Sequence, residues 1–154
     1  MSKKYKILVL FIAAVLAFYS VPAMAAPPMN VHIVSLETIA DNGGTFTITG
    51  AAVDSGLVCP TGTTENISNV GTGPDGGDFL NLRVIKRFTC DDLSGTFDVQ
   101  LLVRLDLVTH YTTARWTVVD GTGDYASLQG RGFLVGTPID PGKSISDVYD
   151  GTMK

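Results

Sequence analysis

The central run of this chain reads Gly95-Thr-Phe-Asp-Val-Gln-Leu-Leu-Val-Arg-Leu-Asp-Leu-Val108. Apolar side chains occupy every second position from Phe97 to Leu107, and polar ones lie between them, with Leu102 and Val108 as the exceptions. Because side chains of an extended strand point alternately to its two faces, the run predicts a long strand with one apolar face and one polar face.

The same alternation continues on both sides of this run. Residues 79–90 predict a preceding strand and Asp91–Gly95 a turn, so residues 79–108 predict a long β-hairpin. Further strands are predicted at residues 30–36, 45–53, 57–59, 113–118, 125–136 and 144–153, with turns at 41–44 and 138–143 among others. Residues 61–78, rich in Gly, Thr, Asn and Asp, predict one long loop that is functional or mobile. No helical periodicity of useful length follows residue 25.

Seven or eight antiparallel strands with one apolar face must bury that face between two sheets or inside a barrel. The length of the central strands and the evenly spaced Gly130, Gly132 and Gly136 favour the barrel, since such glycines let a strand bend or a neighbour approach. We therefore predict an all-β, antiparallel eight-stranded β-barrel, with a β-sandwich as the alternative. An outer-membrane barrel fits poorly, because the last strand ends in Thr152-Met-Lys154 rather than in an aromatic residue.

The first residues follow the order of a secretory signal peptide. A cationic start, Met1–Lys6, precedes an uncharged and mostly apolar run, Ile7–Val21, and Pro22-Ala-Met-Ala25 supplies a small-x-small cleavage pattern. The apolar run is shorter than the about 20 residues of a membrane-spanning helix. The sequence predicts a signal peptide at 1–25, a single β-barrel domain at 26–154 and a secreted or periplasmic location; an uncleaved anchor is the alternative.

Charge and cysteine content narrow the classes of partner. The predicted mature chain has 8 Lys and Arg residues against 15 Asp and Glu residues, a formal charge of −7, which argues against binding to nucleic acid or to anionic membrane surfaces. Cys59 and Cys90 are the only cysteines, and an oxidising compartment favours a disulfide between them. The alternative, a pair of free or redox-active thiols, lacks the usual Cys-x-x-Cys spacing.

A later segment carries a resemblance to known proteins: Trp116-Thr-Val-Val-Asp-Gly-Thr-Gly-Asp-Tyr-Ala-Ser-Leu-Gln-Gly-Arg-Gly132. It resembles a hairpin of the allene oxide cyclase and dirigent group of barrels. It is still more similar to one in uncharacterised exported bacterial proteins, where it follows a segment like Phe88–Phe97. The resemblance implies an eight-stranded barrel, a trimer, no organic cofactor and a lumen that holds a small apolar molecule. Its residues are mainly glycines and core positions, so no catalytic residue carries over.

Three other motifs carry weak signals. Gly71–Gly76 matches the Gly-x-Gly-x-x-Gly pattern but has no helix after it, so we interpret it as a flexible loop. His32 and His110 have no third ligand, so they predict no metal site. The aspartates that turns use lack the spacing of a calcium loop. They are Asp75, Asp78, Asp91, Asp92, Asp120 and Asp124.

Charged residues on apolar strand faces are the strongest candidates for a site in the lumen. Lys86 shares a face with Val84 and Phe88, and Asp147 shares one with Tyr149. A charge inside a small barrel must be paired or solvated, so these groups would mark a site, unless a β-bulge turns them outward. Together with residues that could border an opening, the candidate ligand-binding residues are Lys86, Trp116, Tyr125, Arg131, Asp147 and Tyr149.

Three functions fit these observations. The leading hypothesis is a binding or interaction module for a small apolar ligand, and the others are a cofactor-free enzyme of the cyclase or dirigent kind and a structural extracellular oligomer. A lumen cavity of about 300 Å³ or more would favour binding. Paired ionisable groups inside it would favour catalysis, and a lumen filled by its own side chains would favour a structural role.

Overall fold

The computed structural model describes residues 26–71 and 77–154, and these form a closed antiparallel β-barrel. The eight strands are β1 (Met29–Thr38), β2 (Gly43–Thr49), β3 (Thr61–Gly71), β4 (Phe79–Cys90), β5 (Thr96–Asp106), β6 (Thr112–Gly121), β7 (Gly130–Asp140) and β8 (Ser144–Met153). Each strand pairs with the next in sequence, and β8 pairs with β1 from Met29–Met153 to Thr38–Ser144. The predicted barrel is confirmed, and the β-sandwich alternative is wrong.

The central hairpin and the last strand lie where the alternation predicts them. β4 and β5 pair in register from Phe79–Asp106 to Thr89–Thr96, and β8 begins at Ser144. Only the end of the central run differs, because β5 stops at Asp106 and Leu107, predicted on the apolar face, is 45% exposed.

The prediction of a loop over residues 61–78 is wrong for its first part, because Thr61–Gly71 form β3 and pair with both β2 and β4. The inward positions of β3 hold Gly62, Thr64 and Asn66 rather than large apolar residues. The sequence of β3 therefore lacks hydrophobic alternation, although β3 is one of the strands that form the barrel wall. Residues 72–76, which include Asp75 and most of the Gly71–Gly76 motif, lie outside the described residues, as does the predicted signal peptide.

Other predicted boundaries are also corrected. The strand predicted at 45–53 ends at Thr49, and a four-residue helix, α1 (Ala51–Asp54), follows Gly50, whose φ of 108° favours glycine. The strand predicted at 57–59 is absent from the described structure, and Gly43 and Gly44 belong to β2 rather than to a turn.

The start of β7 also differs from the prediction. Tyr125 lies in a short 3₁₀ helix, Gly123–Tyr125, and β7 starts at Gly130 and continues through Pro138 to Asp140. No helix in residues 26–71 and 77–154 is long and apolar enough to cross a membrane.

Large aromatic side chains fill one end of the lumen, which we call the packed end. It contains the connections β2–β3, β4–β5 and β6–β7. Phe88 and Phe97 stack with ring centroids 4.8 Å apart, and Phe46 meets Phe88 edge to face at 5.1 Å. Tyr125 packs on Phe97, and Trp116 and Tyr149 extend the cluster along the lumen. Such pairs add about 0.5–1.5 kcal/mol each beyond the apolar area they bury.

Glycines on β7 and β8 make room for the only tryptophan of the chain. A Cβ on Gly130 would lie 3.1 Å from Trp116 Cζ3, and one on Gly132 would lie 2.7 Å from Trp116 Nε1. The indole Nε1 donates a hydrogen bond to the carbonyl oxygen of Phe133 at 3.1 Å. Two of the three glycines that predicted close approach therefore accommodate one large side chain.

The predicted disulfide is confirmed, and it lies at the packed end. It joins Cys59, just before β3, to Cys90 at the end of β4, and both residues are buried. It thus fastens the segment that contains α1 to the central hairpin.

We expect the double substitution Cys59→Ala/Cys90→Ala to lower the free energy of unfolding by about 3–4 kcal/mol, because opening a loop of this length frees the unfolded chain. Urea unfolding followed by circular dichroism measures the change. An unchanged midpoint and slope would show that the disulfide does not stabilise the fold.

Candidate functional site

The other end of the lumen, which we call the cavity end, contains a cavity of about 390 Å³. At this end of the barrel lie the connections β1–β2, β5–β6 and β7–β8. Residues of these connections line the rim of the cavity, among them Ile39, His110 and Gly142. Its walls are mostly aliphatic side chains from four strands: Leu82, Val84, Leu101, Val103, Leu105, Leu134, Pro138 and Ile145. A cavity of this size exceeds the about 300 Å³ at which small-molecule sites begin.

Three charged residues meet in the wall of this cavity, and we call them the charged cluster: Glu37, Lys86 and Asp147. Lys86 Nζ lies 2.9 Å from Glu37 Oε1 and 3.0 Å from Asp147 Oδ2. All three side chains are at least 91% shielded from solvent. Thr64 Oγ1 donates a further hydrogen bond to Glu37 Oε1 at 2.9 Å. A single ammonium group therefore joins strands β1, β4 and β8 across the lumen.

Burial and pairing act against each other in this cluster. Burial lowers the pKa of Lys86, but Tyr149 and the carboxyl groups of Asp147 and Glu37 together outweigh burial and raise this pKa. Burial also raises the pKa of Asp147, although Lys86 opposes the shift. Burial likewise raises the pKa of Tyr149, whose ring centroid lies 5.9 Å from Lys86 Nζ. At neutral pH the amine is therefore charged and the phenol is neutral.

Several buried polar atoms near the cluster have no hydrogen-bond partner among the described residues. Thr112 Oγ1 and Asn66 Oδ1 belong to residues that line the cavity, and Ser35 Oγ and Tyr149 Oη belong to fully buried residues. Unpaired buried polar groups are rare because each costs about 1–3 kcal/mol. The lumen therefore contains hydrogen-bonding oxygen atoms that its own side chains do not pair.

The structure separates the six sequence-predicted site residues into three groups. Lys86 and Asp147 point inward and line the cavity, so the alternative in which they turn outward is wrong. Register shifts occur in β3, β6 and β7, and the one in β3, between Asn66 and Ser68, lies opposite Lys86. Tyr149 lies between the charged cluster and the aromatic core, by which we mean the aromatic side chains of the packed end.

The other three candidates do not line this cavity. Trp116 and Tyr125 are buried in the packed end, where the Tyr125 hydroxyl lies 2.7 Å from Ser94 Oγ. Arg131 is exposed and borders a separate groove at the packed end, beside Met153 and Lys154.

Sequence reasoning missed Glu37, although it bonds directly to Lys86. The predicted first strand ended at Leu36, whereas β1 continues to Thr38 with Val31, Ile33, Ser35 and Glu37 all inward. Extending the alternation by two residues would have placed this carboxylate in the lumen. Asn66 was hidden in the predicted loop, and Thr112 lies just before the strand predicted at 113–118.

The weaker motifs do not assemble into a metal site in the described part of the chain, where no three His, Cys, Asp or Glu side chains come together suitably. His32 Nδ1 pairs with Asp150 Oδ1 at 2.7 Å on the outer surface. Asp92 and Asp120 accept hydrogen bonds from neighbouring backbone N–H groups.

Comparison with family models, curated protein sequences and solved structures finds no match to this chain. The resemblance to the allene oxide cyclase and dirigent group therefore stays a prediction.

The two buried tyrosines of the aromatic core provide a matched pair of substitutions. We expect Tyr149→Phe to cost less stability at pH 7 than Tyr125→Phe, because the hydroxyl it removes lies near Lys86 but makes no hydrogen bond of normal geometry to a described residue. Tyr125→Phe removes the bond to Ser94 Oγ and should cost about 1 kcal/mol. Chemical denaturation of both variants measures the difference, and a larger loss for Tyr149→Phe would contradict this assignment.

The charged cluster also predicts how stability changes at alkaline pH. Lys86 and Tyr149 have ordinary pKa values of 10.5 and 10.0, and both pKa values are raised in the folded protein. The unfolded chain therefore loses these protons first, and stability falls as the pH rises above about 10, by up to about 1.4 kcal/mol per pH unit for each group.

Tyr149→Phe removes one of the two titrating groups. It should therefore reduce the loss of stability by up to about 1.4 kcal/mol per pH unit. Denaturation midpoints measured between pH 9 and 11 test this, with Tyr125→Phe as the control. Equal slopes for wild type and Tyr149→Phe would show that the phenol is not linked to folding.

Proposed function

We propose that this protein binds a small, mainly apolar molecule in the cavity end of its barrel. The observation that carries the proposal is the cavity of about 390 Å³ with aliphatic walls and a buried charged cluster. An eight-stranded barrel has just enough interior to be filled by side chains or to hold one small ligand. Here the aromatic residues fill only one end. A structural protein with a fully packed lumen is less consistent with this division.

The state of Lys86 favours binding over catalysis. A lysine acts as a nucleophile or base only when its pKa is depressed, whereas the neighbours of Lys86 raise its pKa. The amine also holds two carboxylates in place, which suits a fixed binding surface.

A lumen enzyme is the second candidate, and one observation favours it. The Asp147 carboxyl lines the cavity and has a raised pKa, as a general acid or base near neutral pH requires. A cofactor-free cyclase or isomerase of the kind that the sequence resemblance implies could use such a group.

We further propose that the protein is exported and acts in the periplasm or outside the cell. The Cys59–Cys90 disulfide supports this location, because such bonds persist in oxidising compartments. A trimer, implied by the resemblance, is part of the same proposal.

Filling the cavity should weaken binding. We expect Val103→Phe, which adds a ring to the cavity wall, to lower the affinity for the neutral dye Nile red about tenfold or more. Leu102→Phe is the matched control, because Leu102 is the adjacent residue on β5 and is 50% exposed. Fluorescence titration measures both variants. An equal loss of affinity in both variants, or no loss in either, would mean that the dye does not enter this cavity.

Native mass spectrometry of protein purified from its own host identifies the ligand and tests the location. It reports cleavage after Ala25, the oligomeric state and any bound small molecule. Asp147→Asn prepared in the same way separates the two candidate functions. A binder returns the same molecule from both preparations, in a smaller amount from the variant where Asp147 contacts it, whereas an enzyme leaves an unconverted molecule of different mass in the variant. Protein that carries no small molecule from either preparation would favour the structural alternative.

A further inference from the structure

We propose that the cavity selects an apolar molecule with a positively charged, hydrogen-bond-donating head group, such as a primary amine, over one with a carboxylate head group. This inference rests on the proposed binding function and adds the chemistry of the ligand. The head group would lie against the free oxygens of Asp147 and Thr112, with the apolar body along the aliphatic walls.

The charge of the lining supports a cationic head group. Lys86 carries one positive charge, and Glu37 and Asp147 carry up to two negative ones. The other titratable groups near the cluster are His110 at the rim and Tyr149 beneath Lys86. The cluster is therefore negative when Asp147 is ionised and neutral when it is protonated. A cation close to Asp147 would itself favour the ionised form.

The same geometry disfavours an anionic head group. Two carboxylate oxygens lie within 3.0 Å of Lys86 Nζ, so two of its three protons are directed to protein groups. A ligand carboxylate that reached the remaining proton would also lie close to Glu37 and Asp147. Like charges at such distances repel strongly in a shielded site.

Unused acceptor oxygens mark where the head group would bind. Asp147 Oδ2 is bonded to Lys86, whereas Asp147 Oδ1 has no hydrogen bond to a described residue. Thr112 Oγ1 is buried and has no partner among those residues either. Both oxygens border the space that a Cβ on Gly136 would occupy, and Ile145 Cδ1 lies 2.8 Å from that position. A side chain at position 136 would overlap both oxygens, so Gly136 allows Thr112 Oγ1 and Asp147 Oδ1 to lie side by side in the wall.

Three probes with the same alkyl chain test the proposal: octylamine, octanol and octanoate. Isothermal titration calorimetry at pH 7 should show that octylamine binds at least about tenfold more tightly than octanoate, with octanol between them. Tighter binding of octanoate would overturn the head-group inference while leaving the binding function in place. No binding of any probe would overturn both.

Asp147→Asn should bring the affinities for octylamine and octanoate close together, because the cluster then has no net charge. Asp150→Asn is the matched control, since Asp150 lies on the same strand but on the outer surface, and it should keep the wild-type ratio. A wild-type ratio in Asp147→Asn would overturn the inference.

Thr112→Val keeps the proposal testable if Asp147→Asn does not fold. Losing the hydroxyl should lower octylamine affinity about fivefold and leave octanoate affinity unchanged. Thr113→Val, on the outer face of β6, should change neither. Equal effects of Thr112→Val on both probes would contradict the proposed position of the head group.

Discussion

Closure of β8 on β1 fixes the volume of the lumen, and every other feature depends on how that volume is shared. Eight strands leave an interior about as wide as the side chains that project into it. Where those side chains are aromatic, as with Phe46, Phe88 and Phe97, the lumen is filled. Where they are valine, leucine or glycine, space remains. The packed end and the cavity end therefore follow from side-chain size at inward positions of one continuous sheet.

The charged cluster lies in the wall of the cavity, and the energetic cost of burying its charges explains why they are paired. A lone buried charge is strongly unfavourable, but Lys86 has two carboxylate partners and Glu37 is bonded again by Thr64. Removing Lys86 would leave two buried carboxylates without a positive partner, whereas removing either carboxylate would leave one ion pair. The cluster joins three strands that are distant in sequence, so it also fixes the relative positions of β1, β4 and β8 around the cavity.

Alternation of large apolar residues predicted β4, β5 and β8 well, because burial of one face leaves a clear period of two in the sequence. β3 was missed because its inward residues are Gly62, Thr64 and Asn66, which are small or polar. Lys86 and Asp147 were found as charges on apolar faces, whereas Glu37 lay just beyond the predicted strand. The pairing of these three residues depends on barrel closure and register, which no local pattern records.

The position of Trp116 has an optical consequence. It is the only tryptophan, it is 1% exposed, and it lies in the packed end rather than in the cavity. Its indole is surrounded by apolar side chains and bonded to one backbone carbonyl. Its emission therefore reports the integrity of the aromatic core, while a molecule that enters the cavity leaves its immediate surroundings unchanged. The barrel thus contains an internal fluorophore that distinguishes unfolding from occupancy.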